Sequence, residues 1–136
     1  MKFKDVVIII MLSISIVSSC KKEKGAELDP RFSTPEKTYQ LWIESGSKGD
    51  LALSNLCITK ESKKFIDAGI KNGRISPKQF MLIFNSFKEY KIQEVKFQGN
   101  MAILILLGPK GQTPPPAKLK KEEDGWKVDM LATFSM

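Results

Sequence analysis

Residues 117–134, AKLKKEEDGWKVDMLATF, contain the clearest structural signal in the chain and decide its fold class. The dipeptide Asp124-Gly125 is typical of a tight turn between two strands. After it, every second residue is apolar, which is the period of a half-buried strand. The residues predicted to share the inner face are Trp126, Val128, Met130, Ala132 and Phe134. The turn and the alternating pattern together predict an antiparallel hairpin in the last part of the chain.

Two further strands are predicted upstream of this hairpin. In KIQEVKFQ (residues 91–98) the apolar positions change parity at Gln93-Glu94, which indicates a β-bulge. Gly99-Asn100 suits a hairpin turn, and MAILILL (residues 101–107) is an unbroken apolar run suited to a central strand. The proline-rich residues 108–117 are interpreted as a stiff loop between strands. The alternative, a segment that binds in an aromatic groove of another protein, is less favoured.

A long first helix is predicted from STPEKTYQLWIESGSKGD, residues 33–50. Ser33 or Thr34 is placed to cap it, Pro35 fits its first turn, and Glu36 completes a capping box with Ser33. Apolar residues then recur at helical spacing, which gives the helix one broad apolar face. The residues of that face are Tyr39, Trp42, Ile43 and Gly46.

Three more helices are predicted before the strands. Asp50 is placed to cap a short helix, and residues 60–71 carry a helical pattern that ends before Gly73. Ser76-Pro77 starts another helix, and residues 80–90 are apolar nearly all round, which predicts a well-buried helix or an early change to strand. Helices followed by about four strands make an α+β plan, with N-terminal helices packed against a curved antiparallel sheet.

The N-terminal residues 1–19 have the features of a signal peptide: a basic start, the apolar residues 6–17 and small residues before Cys20. A membrane-spanning helix needs about 20 apolar residues, so this run is too short to be a permanent anchor. Val17-Ser18-Ser19-Cys20 resembles the lipobox of bacterial lipoproteins, in which the cysteine receives lipid and becomes the first mature residue. Ordinary cleavage, which leaves a plain thiol on a secreted protein, is the alternative.

These observations predict a lipoprotein signal peptide over residues 1–19, a lipidated Cys20 with a flexible tether over residues 20–32, and one domain over residues 33–136. The predicted location is the cell envelope, with lipid anchoring the protein to a membrane. Two or more acyl chains hold a protein on a bilayer firmly, whereas one chain does so only marginally.

The formal net charge of +7 raises the question of nucleic-acid binding. Base readout relies heavily on arginine, and single-strand binding on aromatic residues interleaved with basic ones. Arg31 and Arg74 are the only arginines, and the lysines are scattered along the chain. Nucleic acid is therefore not an expected partner.

Few residues offer catalytic or metal-binding chemistry. The chain has no histidine, which removes the commonest general base and the commonest zinc ligand. Cys57 lies in the apolar segment LSNLCI and is interpreted as a buried thiol, not a nucleophile. No catalytic residue, metal or cofactor is predicted. Asp67 with Tyr39, or Glu94, would be the best candidates for acid–base chemistry, although each carboxylate also fits a solvated surface position.

The order of elements, with residues 33–57 and EEDGWKVDML (122–131), resembles the nuclear-transport-factor-2-like superfamily, or cystatin-like cone fold. Within it the chain looks most like small lipoproteins whose domains are uncharacterised. The resemblance spans about residues 33–134, and its motifs mark turns, so they indicate architecture and not chemistry. It implies a curved sheet around a long helix, often with a conical pocket. The residues expected to line that pocket or to fill the core are Tyr39, Trp42, Phe97, Ile103, Trp126, Met130 and Phe134.

We therefore expect a non-catalytic module that binds a small apolar ligand or an envelope protein partner, in addition to the membrane reached through Cys20. The alternatives are a pocket enzyme of isomerase or hydrolase type on the same fold, and an assembly lipoprotein that uses the outer sheet face; a homodimer through the sheet is left open. A ligand module predicts an apolar pocket without a carboxylate, and an enzyme predicts a pocket carboxylate with a raised pKa. An assembly protein predicts an exposed apolar patch.

Overall fold

The computed structural model describes residues 27–134, so the predicted signal peptide, Cys20 and most of the tether lie outside the described part. Four helices precede a four-stranded antiparallel sheet, which confirms the α+β prediction and is consistent with the cone fold. None of the described helices is long and apolar enough to cross a membrane. The helices are α1 (Pro35–Ser47), α2 (Leu51–Leu56), α3 (Lys60–Lys71), α4 (Pro77–Phe87) and the short α5 (Met130–Thr133). The strands are β1 (Lys91–Gln98), β2 (Met101–Leu107), β3 (Ala117–Glu122) and β4 (Gly125–Val128).

The sheet is a simple meander in which each strand pairs with the next one along the chain. The predicted bulge is confirmed, because the β1–β2 register shifts between Ile92 and Glu94. Strand β2 is central, and its residues alternate between fully buried and half-buried positions. Its buried residues Ala102, Leu104 and Leu106 face the helices. Ile103 therefore points to the other face, so its predicted inward orientation was wrong.

Polar side chains cap the first three helices. The backbone N–H of Lys37 donates to Thr34 Oγ1 (3.2 Å), and that of Leu53 donates to Asp50 Oδ1 (3.1 Å), which confirms Asp50 as the cap of α2. Thr59 caps α3 in the same way. The predicted capping box between Ser33 and Glu36 is absent, because Pro35 occupies the first helical position and Thr34 becomes the cap.

The last strand is shorter than its alternating pattern predicts. Strand β4 ends at Val128, and α5 begins two residues later. Asp129 caps this helix, since its Oδ1 accepts a hydrogen bond from the backbone N–H of Ala132 (3.0 Å). The backbone N–H of Met130 donates to the hydroxyl of Ser62 (3.0 Å) and not to a neighbouring strand. The prediction that the alternating face continues to Phe134 was therefore wrong.

Helix α4 is much more exposed than predicted. Phe84 is buried at 2% exposure, whereas Leu82 is 65% exposed and Ile83 45% exposed. Its inner face packs on α1, where the Phe84 ring meets Trp42 edge-on with centroids 5.0 Å apart. Among the described elements α4 packs mainly on α1, so only one side of it finds a partner.

The packed domain begins earlier than the predicted tether boundary at residue 32. Pro30–Phe32 form a 3₁₀ turn, and the Phe32 side chain is 1% exposed. Its carbonyl lies against Gly125, whose φ of 139° and lack of a side chain permit this approach. Further contacts join the start and the end of the domain. Asp29 N–H donates to the Asp124 carbonyl (2.8 Å), and Thr38 Oγ1 donates to the Trp126 carbonyl (2.9 Å).

Lys127 holds this junction together although it is charged and only 6% exposed. Its ammonium group donates to the Leu56 carbonyl at the end of α2 (2.6 Å) and pairs with Asp124 (3.1 Å). It also lies 3.7 Å from the centroid of the Phe32 ring. A carbonyl, a carboxylate and an aromatic face together compensate for the burial of the charge.

Candidate functional site

Two aromatic residues of α1 form the starting point of the candidate site. Tyr39 and Trp42 are three residues apart and therefore lie on the same face of the helix. They are 4% and 3% exposed, and their rings lie 6.0 Å apart. This face packs between α4 and the sheet, so the two rings reach the space that separates those elements.

One cavity, which we call the inner cavity, has a volume of about 150 Å³ and lies between α1, the sheet and the last described residues. Aromatic and aliphatic side chains make up most of its wall, and the lining residues that carry a polar side-chain group are Tyr39, Thr133 and Trp42, whose indole has an N–H. Its lining residues are Tyr39, Trp42, Phe87, Leu106, Pro115, Ala117, Thr133 and Phe134.

A second cavity, which we call the outer cavity, has a volume of about 250 Å³ and lies beneath α4. Trp42 and Phe134 line both cavities, and their ring centroids lie 6.5 Å apart. Arg74, Ser76 and Gln79 add polar groups on one side, where α3 connects to α4. The apolar lining residues that are specific to this cavity are Ile75, Phe80, Ile83, Phe84 and Met130.

The residues predicted to line a pocket separate into two groups. Tyr39, Trp42 and Phe134 line the inner cavity, and Met130 lines the outer one. Phe97 and Trp126 lie near the β1–β2 turn instead and contact each other with centroids 5.7 Å apart. They line neither cavity, because the register places Phe97 opposite Ala102, whereas the inner cavity reaches Leu106 near the other end of β2.

Sequence reasoning missed the contribution of α4 to both cavities. Phe80 and Phe84 line the outer cavity, and Phe87 lines the inner one. The signal was present in the sequence as apolar residues all round the helix. Apolar character on every side was interpreted as burial in a core, but it equally suits a helix that covers a cavity with one side and faces solvent with the other.

Tyr39, which lines the inner cavity, carries a hydroxyl in an unusual environment. Its oxygen is buried, and no hydrogen-bond partner is found for it among residues 27–134. Burial raises the pKa of this phenol well above its ordinary value, and the nearby Tyr90 adds to the shift. The group is therefore a protonated hydroxyl at any physiological pH.

Carboxylates lie away from the two cavities. Asp67 is exposed on α3, where it pairs with Lys63 at 3.8 Å, and Glu94 is exposed at the bulge of β1. Asp129 is occupied as the cap of α5. No aspartate or glutamate is among the described residues that line the inner or outer cavity, so these walls offer no carboxylate base.

Cys57 is fully buried at the end of α2, as its apolar neighbours predict. Burial raises its pKa to about 12, and its thiol lies 3.4 Å from the Leu53 carbonyl. A buried thiol with this pKa is a poor nucleophile, because the thiolate is the reactive form. Within residues 27–134, no group of three or more potential ligands from cysteine, aspartate and glutamate is arranged to hold a metal ion.

Comparisons with known proteins give little beyond this geometry. No protein-family model matches the chain, and no curated protein matches it. A crystal structure described as a calcium/calmodulin-dependent protein kinase type II association domain, from Thiobacillus denitrificans, is similar at 13% identity and a TM-score of 0.41. The match covers 74% of this chain and 93% of that one. A similarity of this size assigns neither a ligand nor a partner to the chain.

Proposed function

We propose that this protein is a lipid-anchored envelope module whose domain binds a small apolar ligand without transforming it. The observation that carries the proposal is the pair of adjoining cavities, lined mainly by aromatic and aliphatic side chains. Ligand sites are typically concave and apolar, with a few polar groups that fix orientation. Here the polar side chains are those of Tyr39, Trp42 and Thr133 at the inner cavity and of Arg74, Ser76 and Gln79 at the outer one.

The cavities suit binding better than catalysis. Acid–base catalysis needs a side chain within hydrogen-bond reach of the proton that it moves. The described lining residues include no carboxylate, and the only strongly basic group is the guanidinium of Arg74. Aromatic walls formed by Trp42 and Phe134 can instead bury a flat apolar molecule and gain stabilisation from ring contacts.

Binding of a partner protein is the second candidate, and exposed apolar side chains on the helices favour it. Leu82 and Ile83 are exposed side by side on α4, and Phe65 is 45% exposed on α3. Such residues are common at protein–protein contacts when they are contiguous. The homodimer through the sheet would instead use the other face of β2, where residues 101, 103, 105 and 107 are half-buried.

Anchoring through Cys20 rests on the sequence pattern, since that residue lies outside the described part. The test is Cys20→Ala in the full chain, with membrane fractionation and mass spectrometry of the mature N-terminus. We expect the variant to lose the lipid mass and to move to the soluble fraction. A mature variant that stays with the membrane would refute lipidation as the cause of anchoring.

The ligand proposal is tested by native mass spectrometry of the full-length chain, extracted in mild detergent from the cells that produce it naturally. We expect a small apolar molecule to co-purify, and we expect Ala117→Leu, which fills the inner cavity from β3, to reduce its amount. Ala68→Leu on the exposed side of α3 is the matched control. A stoichiometric protein in place of a small molecule would favour the second candidate, and a bare monomer that takes up no added apolar probe would refute ligand binding.

A further inference from the structure

The Tyr39 hydroxyl indicates the chemistry of the ligand. A buried hydroxyl without a hydrogen bond is unfavourable, and folded proteins satisfy the large majority of such groups. Phenylalanine would fill the same space on α1 without this cost. A tyrosine at this place therefore points to a partner that the polypeptide itself does not provide within residues 27–134.

Ordered water is a poor candidate for that partner. A buried water usually makes two to four hydrogen bonds, whereas apolar cavities of about 150 Å³ stay dry and accept molecules such as benzene. The other hydroxyl in the wall of the inner cavity, that of Thr133, already accepts from Lys118 N–H (2.9 Å) and donates to the Lys118 carbonyl (3.3 Å). Within the inner cavity, water would therefore find few side-chain partners besides the indole N–H of Trp42.

We infer that the inner cavity binds an uncharged ring-sized molecule with one hydrogen-bond acceptor, a carbonyl or ether oxygen, which accepts from the Tyr39 hydroxyl. The inference rests on the proposed ligand-binding function and adds the class of ligand. Among residues 27–134, no lysine or arginine lines this cavity, so a buried anion would lack a counter-charge from them. The protonated phenol acts as the donor, and a longer molecule could continue past Trp42 and Phe134 into the outer cavity.

Access to the hydroxyl requires a side chain to turn. The oxygen is covered in this structure, and the half-buried Phe87 lines both the inner cavity and an open groove on its other side. The other residues that line this groove are Tyr39, Ile43, Tyr90 and Ile92, together with the polar Gln40, Glu44, Lys88 and Lys91. The Phe87 ring contacts Tyr90 and Phe134 at centroid distances of 5.4 and 6.0 Å. It is the side chain that we expect to move when the ligand oxygen reaches Tyr39.

The test compares two probes of nearly equal size, 1-indanone with a carbonyl oxygen and indane without it. The full-length chain in a fixed concentration of mild detergent is titrated with each probe, with the free concentration set by dialysis and binding followed by the NMR signal of the Trp42 indole N–H. We expect 1-indanone to bind wild-type protein about tenfold more tightly than indane, the scale of one buried hydrogen bond. In Tyr39→Phe the preference for 1-indanone should disappear or reverse, because its carbonyl oxygen would then be buried without a donor, while the affinity for indane should stay the same.

Tyr39→Phe should fold well, because it removes only the unpaired hydroxyl, and its melting temperature without probe should equal or exceed that of the wild type. Tyr90→Phe, at the neighbouring groove, is the matched control and should keep the preference for 1-indanone. Equal binding of both probes to wild type, or a preference that survives in Tyr39→Phe, would overturn the inference while leaving the ligand proposal intact. If neither probe binds to the wild type, both the inference about Tyr39 and the proposal of ligand binding are overturned.

Discussion

The contact between α1 and α4 depends on Gly46, and Gly46→Ala tests how tightly the two helices pack. A methyl group at this position would lie 2.5 Å from two carbons of the Phe84 ring, Cδ1 and Cε2. Real carbon contacts of this kind do not occur, so either the ring or the helix must move. The ring is 2% exposed and is held by Trp42 at 5.0 Å and by Phe80 at 5.6 Å.

Two effects of opposite sign decide the size of the change. Alanine stabilises a helix interior by roughly 1 kcal/mol relative to glycine. Forcing extra volume into a well-packed contact costs about 1–3 kcal/mol. Because Phe84 is confined on two sides by aromatic rings, we expect the cost to be near the upper end. Gly46→Ala should therefore lower the free energy of unfolding by about 1–2 kcal/mol.

The measurement is urea unfolding followed by circular dichroism, with Gly69→Ala as the matched control. Gly69 is also buried within a helix, but an added methyl would meet the half-buried Ile75, at its Cδ1 and at its Cγ1 (2.7 Å). Because Ile75 is partly open to solvent and can turn away, whereas the Phe84 ring is enclosed, we expect the control to lose less stability than Gly46→Ala. Gly46→Ala and Phe84→Leu together should cost less than the sum of their separate losses, because the smaller side chain relieves the clash. A Gly46→Ala variant as stable as the wild type would refute the claim that the Phe84 ring leaves no space for a methyl group at this position.

Three further predictions concern buried and paired groups. Cys57, whose pKa is raised to about 12, should resist iodoacetamide at pH 8 in the folded protein and react after unfolding in urea. Peptide mass spectrometry measures the labelling, and rapid labelling of the folded protein would contradict the burial of this thiol. Lys127→Met should lower the free energy of unfolding by about 2 kcal/mol, since it leaves a carbonyl and a carboxylate without their donor. The control, Lys120→Met on the neighbouring strand, should have little effect, and equal losses in the two variants would refute the special role of Lys127. Hydrogen bonds from Arg31 lower the pKa of Asp29 to about 2 from 3.8, so the stabilisation from this carboxylate is complete above about pH 4 and is lost as the pH falls towards 2. An NMR titration of Asp29 should give that midpoint, Arg31→Gln should return it towards 3.8, and an unchanged midpoint in the variant would exclude Arg31 as the cause.

Elements with local signals were predictable from the sequence. The third predicted helix matches α3, because a residue that can cap precedes it and Gly73, with a φ of 78°, ends it. The bulge of β1 and the turn at Gly99 were also predicted correctly, since parity changes and glycine–asparagine pairs act within a few residues. Each of these features is decided by neighbours in the chain.

The rest depends on contacts between distant residues. Met130 leaves the alternating strand pattern because its N–H bonds to the hydroxyl of Ser62, 68 residues away. Which side of α4 is buried is decided by the position of Gly46 on α1, and no pattern within α4 reveals it. The two cavities lie where α1, α4 and the last described residues leave space between their side chains. The large apolar side chains of Trp42 and Phe134 therefore made them predictable as lining residues. The same property led to the prediction of Phe97 and Trp126, which line neither cavity.

The junction between Phe32 and Gly125 has a consequence for the order of folding. The first packed turn and the first helix complete their buried contacts only with the final hairpin, as the hydrogen bond from Thr38 to Trp126, 88 residues away, illustrates. Contacts with such large sequence separation form late, because the chain must first lose the entropy of closing the loop between them. A nascent chain that lacks β3 and β4 therefore leaves the inner face of α1 uncovered. The domain should therefore remain open until β3 and β4 have joined it.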